Sequence, residues 1–138
     1  MKKIILVLII FTLTSCASTG VKKNSDLQPD RSDKANIYFK RPVGVLWFSH
    51  RAFIVVNGSE VGSLNMNEQI KVHLDGGDHN ISVNGESIAS FNPVRMVKGK
   101  EISKYTFKNG KNYYFIVDTS MAKTFDLVNV TQKQYQKK

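Results

Sequence analysis

Cysteine is almost absent. The 138-residue chain holds one, Cys16, so no disulfide can form within it and a metal site built on paired thiolates is excluded. Side-chain packing has to carry the stability. Long hydrophobic runs are missing as well: the main one, Ile4 to Leu13, is broken only by Thr12 and is about half of the ~20 residues that a helix needs to cross a bilayer. A permanent transmembrane helix is therefore disfavoured. Acidic residues are scarce, 11 against 20 Lys and Arg, for a net charge of +9. Such a surface suits anionic lipid, acidic glycan or nucleic acid, or serves solubility alone. No phosphate-cradling glycine loop is present, because Asp75-Gly76-Gly77-Asp78 carries two acids that repel phosphate and opens no helix. Ser49-His50-Arg51 lacks a nucleophile elbow, and adjacent residues on an extended chain point to opposite faces. No catalytic residue is expected, and the chain is read as a non-enzyme.

What is present begins with a secretory leader. Lys2 and Lys3 precede the apolar run, which ends in Leu13-Thr14-Ser15-Cys16. These four residues resemble the lipobox of bacterial lipoproteins. The resemblance implies a signal peptide over residues 1–15, cleavage between Ser15 and Cys16, and a diacylglycerol thioether on the Cys16 thiol, whose thiolate is the nucleophile. The freed amine is commonly acylated in that family. Two or three acyl chains, at roughly 0.8 kcal/mol per buried methylene, hold a soluble domain on a membrane where one chain would not. Ala17 stands where inner-membrane retention typically uses Asp, so the resemblance implies the outer membrane of a diderm cell, on its periplasmic face. Export also removes nucleic acid from the partners that the charge allows.

Residues 16–33 are expected to form the lipidated N-terminus and a flexible tether, since Ala17 to about Asp33 is rich in Ser, Lys, Asn, Asp and Gln. As a random coil the tether would span on the order of 20–25 Å. Residues 34–138 are expected to form one domain. With 41% hydrophobic and 22% charged residues, the chain is close to ordinary globular usage and argues against disorder.

In this domain short apolar runs rich in β-branched and aromatic residues alternate with Gly, Asn and Asp. Strands are predicted at Ala35 to Lys40, Val45 to Phe48, Ala52 to Val56, Glu60 to Leu64, Gln69 to Leu74, His79 to Val83, Glu101 to Phe107, Lys111 to Asp118 and Thr124 to Val130. Thr131 to Lys138 could end in a frayed turn, and Ser87 to Lys100 reads as a long loop. Asn57-Gly58 and Gly76-Gly77 supply the positive-φ residues of two-residue hairpin turns. Across the first, Ile54 would face Val61. Across the second, Leu74, Val72 and Ile70 would face His79, Ile81 and Val83, and these six would line one sheet face. Lys108 to Lys111 is a third turn, before Asn112-Tyr113-Tyr114-Phe115-Ile116-Val117, whose unbroken apolarity fits a central strand. The fold class expected is all-β, an antiparallel β-sandwich of about seven to nine short strands.

The succession Ile37-Tyr38-Phe39-Lys40-Arg41-Pro42, Val55-Val56-Asn57-Gly58, Val61-Gly62-Ser63-Leu64, Leu74-Asp75-Gly76-Gly77-Asp78-His79 and Gly110-Lys111-Asn112-Tyr113-Tyr114-Phe115 resembles a bacterial lipoprotein family, domain of unknown function 2846. That family is similar in its lipobox leader and in a predicted β-sandwich, and it implies no established activity. The chain departs from it at Gly76-Gly77-Asp78, where the family favours Pro-Gly, and in a shorter C-terminal tail.

Among candidate ligand residues, His73, Asp75, Asp78 and His79 fall within seven positions. The predicted hairpin register sends the two imidazoles to opposite faces, so no metal and no cofactor are expected; His79 would bond to backbone near the turn and His73 would be solvated. Trp47, Phe48, Phe53, Tyr105, Phe107, Tyr113, Tyr114 and Phe115 lie on or beside strands, which favours core packing over a ligand shelf. Val43 to Phe48 is longer than one buried face requires, so Trp47 and Phe48 are a candidate contact patch. Arg95, Lys98 and Lys100, with Lys104, Lys108 and Lys111, read as a solvated basic face or as a patch for anionic headgroups or a polyanionic glycan. The function expected is a lipid-anchored envelope lipoprotein whose non-catalytic β-sandwich binds or scaffolds another envelope component, a protein or glycan. The alternative is a small-ligand carrier with an aromatic-lined cavity between the sheets.

Overall fold

The computed structural model describes residues 27–44, 50–87, 102–119 and 125–137. Eight strands fall in these stretches: β1 Ala35–Arg41, β2 His50–Val56, β3 Ser59–Leu64, β4 Glu68–Leu74, β5 Gly77–Ser87, β6 Ser103–Phe107, β7 Asn112–Thr119 and β8 Phe125–Val130, followed by the short helix α1 Gln132–Lys137. They form two four-stranded sheets, β4-β1-β7-β8 and β3-β2-β5-β6, and the molecule is an all-β sandwich. Predicted strand positions agree with the observed ones to within a few residues, except for Val45 to Phe48, which lies outside the described residues. The tail after Thr131 closes as a helical turn.

Alternation builds the core. On β1, Ile37 and Phe39 point inward and Tyr38 and Lys40 outward; on β7, Phe115 and Val117 point inward and Tyr114 outward. Ala52, Ile54 and Val56 of β2 and Ile81 and Val83 of β5 meet them from the opposite sheet, all buried. Each large apolar side chain so enclosed contributes roughly 1.5–3 kcal/mol. Aromatic rings fill the gap between the sheets: Tyr105 meets Phe115 edge-on at 4.9 Å, and Phe107 lies 4.7 Å from Tyr113. Gly85 has a steric reason to be glycine, because a Cβ there would sit 2.2 Å from Cε2 of Phe125.

Two expected pairings, and the expectation that the strands are all antiparallel, are corrected. Asn57-Gly58 does make the β2–β3 hairpin, with φ of 51° and 83°, but the register shifts between Ile54 and Val55, so Ile54 pairs with Gly62. Val61 is thereby expelled to the surface at 36% exposure while Ile54 is fully buried. A β-bulge has separated two side chains that an unbroken ladder would have placed together. Gly76-Gly77 does not close a hairpin: β4 pairs with β1, and β5 pairs with β2 and β6. The chain turns a corner between sheets there, braced by the Gly76 N–H, which donates to Asn109 Oδ1 at 2.6 Å. Ile70, Val72 and Leu74 therefore belong to the first sheet and Ile81 and Val83 to the second, and they do not lie beside one another on one sheet face. Finally, β1 and β7 pair in parallel, and the other strand pairs are antiparallel.

Arg41, at the end of β1, is 2% exposed. Its Nη1 donates to the carbonyls of His50 and Leu64, and its guanidinium lies 5.0 Å from the Phe125 ring centroid. It thus bolts one sheet to the other. Burial lowers its pKa to about 10, against the opposing pull of Glu68, so at neutral pH it remains charged.

Candidate functional site

The parallel register of β1 and β7 sets Tyr38 beside Tyr114, and the antiparallel register of β1 and β4 sets Tyr38 beside Lys71. All three point away from the core, so the outer face of the first sheet carries the row Lys71, Tyr38, Tyr114. Tyr38 and Tyr114 stack at 4.9 Å. Helix α1 then folds back over the row. Its start is held by a reciprocal cap, in which Thr131 N–H donates to Gln134 Oε1 at 2.9 Å and Gln134 N–H donates to Thr131 Oγ1 at 3.3 Å. One turn on, Tyr135 is 3% exposed. Its ring lies 5.3 Å from Tyr114 and 6.2 Å from Tyr38, and its hydroxyl donates to Gln69 Oε1 at 3.1 Å. Burial, and then the neighbouring Tyr38 and Tyr114, hold the Tyr135 phenol well above its ordinary pKa, so it stays protonated.

Residues 27–33 run onto the same face. The Asp30 carboxylate accepts from Lys71 Nζ at 2.6 Å, from Asn112 Nδ2 at 2.8 Å and from the Tyr38 hydroxyl. Partial burial pushes this carboxyl up, but the hydrogen bonds from Lys71, Tyr38 and Asn112 outweigh it and bring the pKa to about 2. Burial, followed by Asp30, raises the Tyr38 phenol far above its usual range. Next to this clamp, Asn36 donates to the Arg31 carbonyl at 3.1 Å and accepts from the Arg31 N–H at 2.8 Å. The last residues of the stretch expected as tether are therefore fastened to the domain, and residues 17–26 lie outside the described ones.

Between these walls lies a cleft of about 180 Å³, lined by Leu27, Tyr38, Lys71, Tyr114, Tyr135 and the two glutamines Gln132 and Gln136 of α1. Lys71 is no free cation here, since its side chain is 6% exposed and is paired with Asp30. A second opening, about 340 Å³, lies at the sandwich edge between Ser82, Val83 and Ser103 on one side and Phe125 to Val128 on the other. Phe125 is its one aromatic lining residue among the described residues.

The residues singled out from the sequence are dispersed. Ser15, Cys16, Trp47, Phe48, Arg95, Lys98 and Lys100 lie outside the described residues, as does Ser49. Lys104 is paired with Asp78 at 2.7 Å, and Lys108 and Lys111 are exposed. His79 lies opposite Tyr105 on β6. Its Nε2–H donates to the Asp75 carbonyl at 2.8 Å and its Nδ1 accepts from the Asn57 amide at 3.0 Å, as the turn-adjacent reading expected. His73 is corrected: it is half-buried beside Asn36 on β1, not solvated, and its Nε2 is shut from water with no hydrogen-bond partner. Burial, and next to it Arg41, lowers the pKa of His50. Among the described residues no three of His, Cys, Asp and Glu are close enough to hold a metal ion together.

Sequence reading missed the outward tyrosines. Tyr114 was grouped with the core aromatics, and Tyr38 and Tyr135 were not singled out at all. The signal was available in the alternation: if Ile37 and Phe39 face inward then Tyr38 faces outward, and Tyr113 and Phe115 impose the same on Tyr114. What brings Tyr135 onto them is the return of α1, which no pattern in the strands announces. No protein-family model matches the chain, and no curated protein matches it either.

Proposed function

We propose that this chain is a lipid-anchored lipoprotein of the bacterial cell envelope, on the periplasmic face of the outer membrane, whose non-catalytic β-sandwich binds or scaffolds another envelope component through the tyrosine cleft. The anchor rests on Leu13-Thr14-Ser15-Cys16 and on the likeness of the leader and strand succession to the lipoprotein family of domain of unknown function 2846. The observation that carries the contact site is the cleft itself. It is a concave, aromatic-walled surface with a few polar groups, the kind of place where ligands bind, and Leu27, where the chain comes in from its N-terminal segment, forms part of its wall.

The carrier alternative is less favoured by what lies between the sheets, where Tyr105, Phe107, Tyr113 and Phe115 pack on one another. Both ring nitrogens of His79 are engaged, by the Asp75 carbonyl and the Asn57 amide, and neither partner is a nucleophile for hydrolysis.

Cys16→Ser is the decisive test of the anchor. In cells fed labelled palmitate the parent chain is expected to carry label and to sediment with membranes. The variant is expected to lose the label and to leave the membrane fraction. A parent chain free of fatty acid overturns the anchor. Crosslinking of intact envelopes followed by mass spectrometry then identifies what lies at the cleft, using Gln136 replaced by a photoreactive residue.

A further inference from the structure

The tyrosine cleft offers a ligand aromatic surface, hydrogen-bonding groups of both senses and, among its described lining residues, no unbalanced charge. Lys71 and Asp30 neutralise each other, and Asp30 also accepts from Tyr38 and Asn112. Among the described lining residues a phosphate or carboxylate finds no cation but Lys71, already paired; Lys40, which lies over the Tyr135 ring at 5.5 Å, is not one of them. A charged ligand would lose hydration with no compensation from these residues, which favours a neutral occupant.

Its polar requirements come from α1. Gln132 and Gln136 are one helical turn apart, on one face, and both line the cleft. Each side-chain amide has two N–H donors and an acceptor oxygen. Neither amide has a hydrogen-bond partner among the described residues, and neither does the Tyr114 hydroxyl. Three free groups, each able to give and to take, suit a ligand whose own groups do the same at close spacing, which is the chemistry of vicinal hydroxyls. A proline-rich peptide could use the same rings, but its carbonyls only accept. The volume of about 180 Å³ is below the ~300–1,000 Å³ of sites for drug-sized molecules, so one ring enters and not several. The parts of the Tyr38 and Tyr114 rings left open by their mutual stack and by Lys71, which lies over Tyr38 at 4.5 Å, then meet the C–H bonds of that ring.

We propose that the cleft binds a neutral saccharide, one pyranose ring resting among Tyr38, Tyr114 and Tyr135 with its hydroxyls bonded to Gln132 and Gln136. This rests on the cleft as the contact site in the reading above and is independent of the lipid anchor.

The test is a titration of the full isotope-labelled chain in detergent with cellotetraose, maltotetraose, mannotetraose and the tetramer of N-acetylglucosamine, followed by NMR. At least one is expected to shift the side-chain amide signals of Gln132 and Gln136 with saturation by about 10 mM. Replacing both glutamines by alanine, at exposed positions where the fold does not depend on them, is expected to weaken that binding about tenfold, the value of two modest hydrogen bonds. The inference is overturned if none of the four saccharides shifts these signals, if the double variant binds unchanged, or if a proline decamer shifts them and no saccharide does. A chain that lacks fatty acid but passes this titration would sink the anchor and leave the sugar site standing.

Discussion

Gly85 shows how much depends on a single missing methyl group. Phe125, the first residue of β8, reaches across the sandwich and lays its ring edge on the Gly85 backbone, where a Cβ would meet Cε2 at 2.2 Å and Cδ2 at 2.7 Å. Both atoms belong to a rigid ring that is itself 3% exposed, so neither can move aside without displacing its neighbours. Gly85→Ala is expected to destabilise the domain by about 1–3 kcal/mol, the cost of forcing an extra methyl into a filled core, as read from a lowered midpoint in urea denaturation. An unchanged midpoint would mean that β8 can slide away from β5. Arg41 lies at the same end of the sandwich, with its guanidinium against the Phe125 ring. Neither residue stands out in the sequence: Gly85 follows Asn84 as any turn glycine could, and Arg41 precedes a proline as a surface cation might.

At the scale of elements, strand positions were legible because each is a short alternating run closed by Gly, Asn or Asp. Which strand pairs with which was not. The residues of Asp75-Gly76-Gly77-Asp78 specify a tight change of direction, and a turn of that kind fits a hairpin or a corner equally well. The corner is chosen by Asn109, which comes from a different turn far along the chain and accepts the Gly76 N–H. The docked segment 27–33 was equally hidden, since its composition is that of a coil and it becomes part of the domain only through distant partners, the three of Asp30 and Lys71 at the Gln28 carbonyl, together with Asn36 at the Arg31 backbone. Its hold depends on pH. With a folded pKa of about 2 against an ordinary value of 3.8, Asp30 stabilises the docked state fully above about pH 4 and loses that contribution as pH falls through 2. The Asp30 carboxyl signal is expected to titrate near 2 by NMR. Asp30→Asn should abolish the acid-dependent release of this segment and shift the Lys71 and Tyr38 signals even at neutral pH. A midpoint near 4 would show that the clamp does not form in solution.

Over the whole molecule, two sheets of four strands leave four strands inside, β1 and β7 in one sheet and β2 and β5 in the other. These have neighbours on both sides and carry most of the fully buried residues, Ile37, Phe39, Ile54, Ile81, Phe115 and Val117 among them. Native-state hydrogen exchange is expected to be slowest in these four strands and faster in β3, β4, β6 and β8. Equal protection of β8 and β7 would contradict the edge position of β8. The sandwich class follows from strand number and spacing, whereas the tyrosine cleft needs the complete assembly: β1 and β7 for the stacked pair, α1 for the third ring and the amides, and residues 27–33 for the clamp. A site composed of these stretches, and of β4 for Lys71, has no local signature to read.

The parallel union of β1 and β7 also sets an order of events. The first strand to leave a ribosome or a translocation pore cannot find this partner until roughly seventy further residues have followed it. Until then a strand carrying Ile37 and Phe39 has one side open to any passing edge. A chain that must wait this long benefits from a chaperone that covers extended apolar segments, and the most vulnerable moment in its life comes before its last third has emerged.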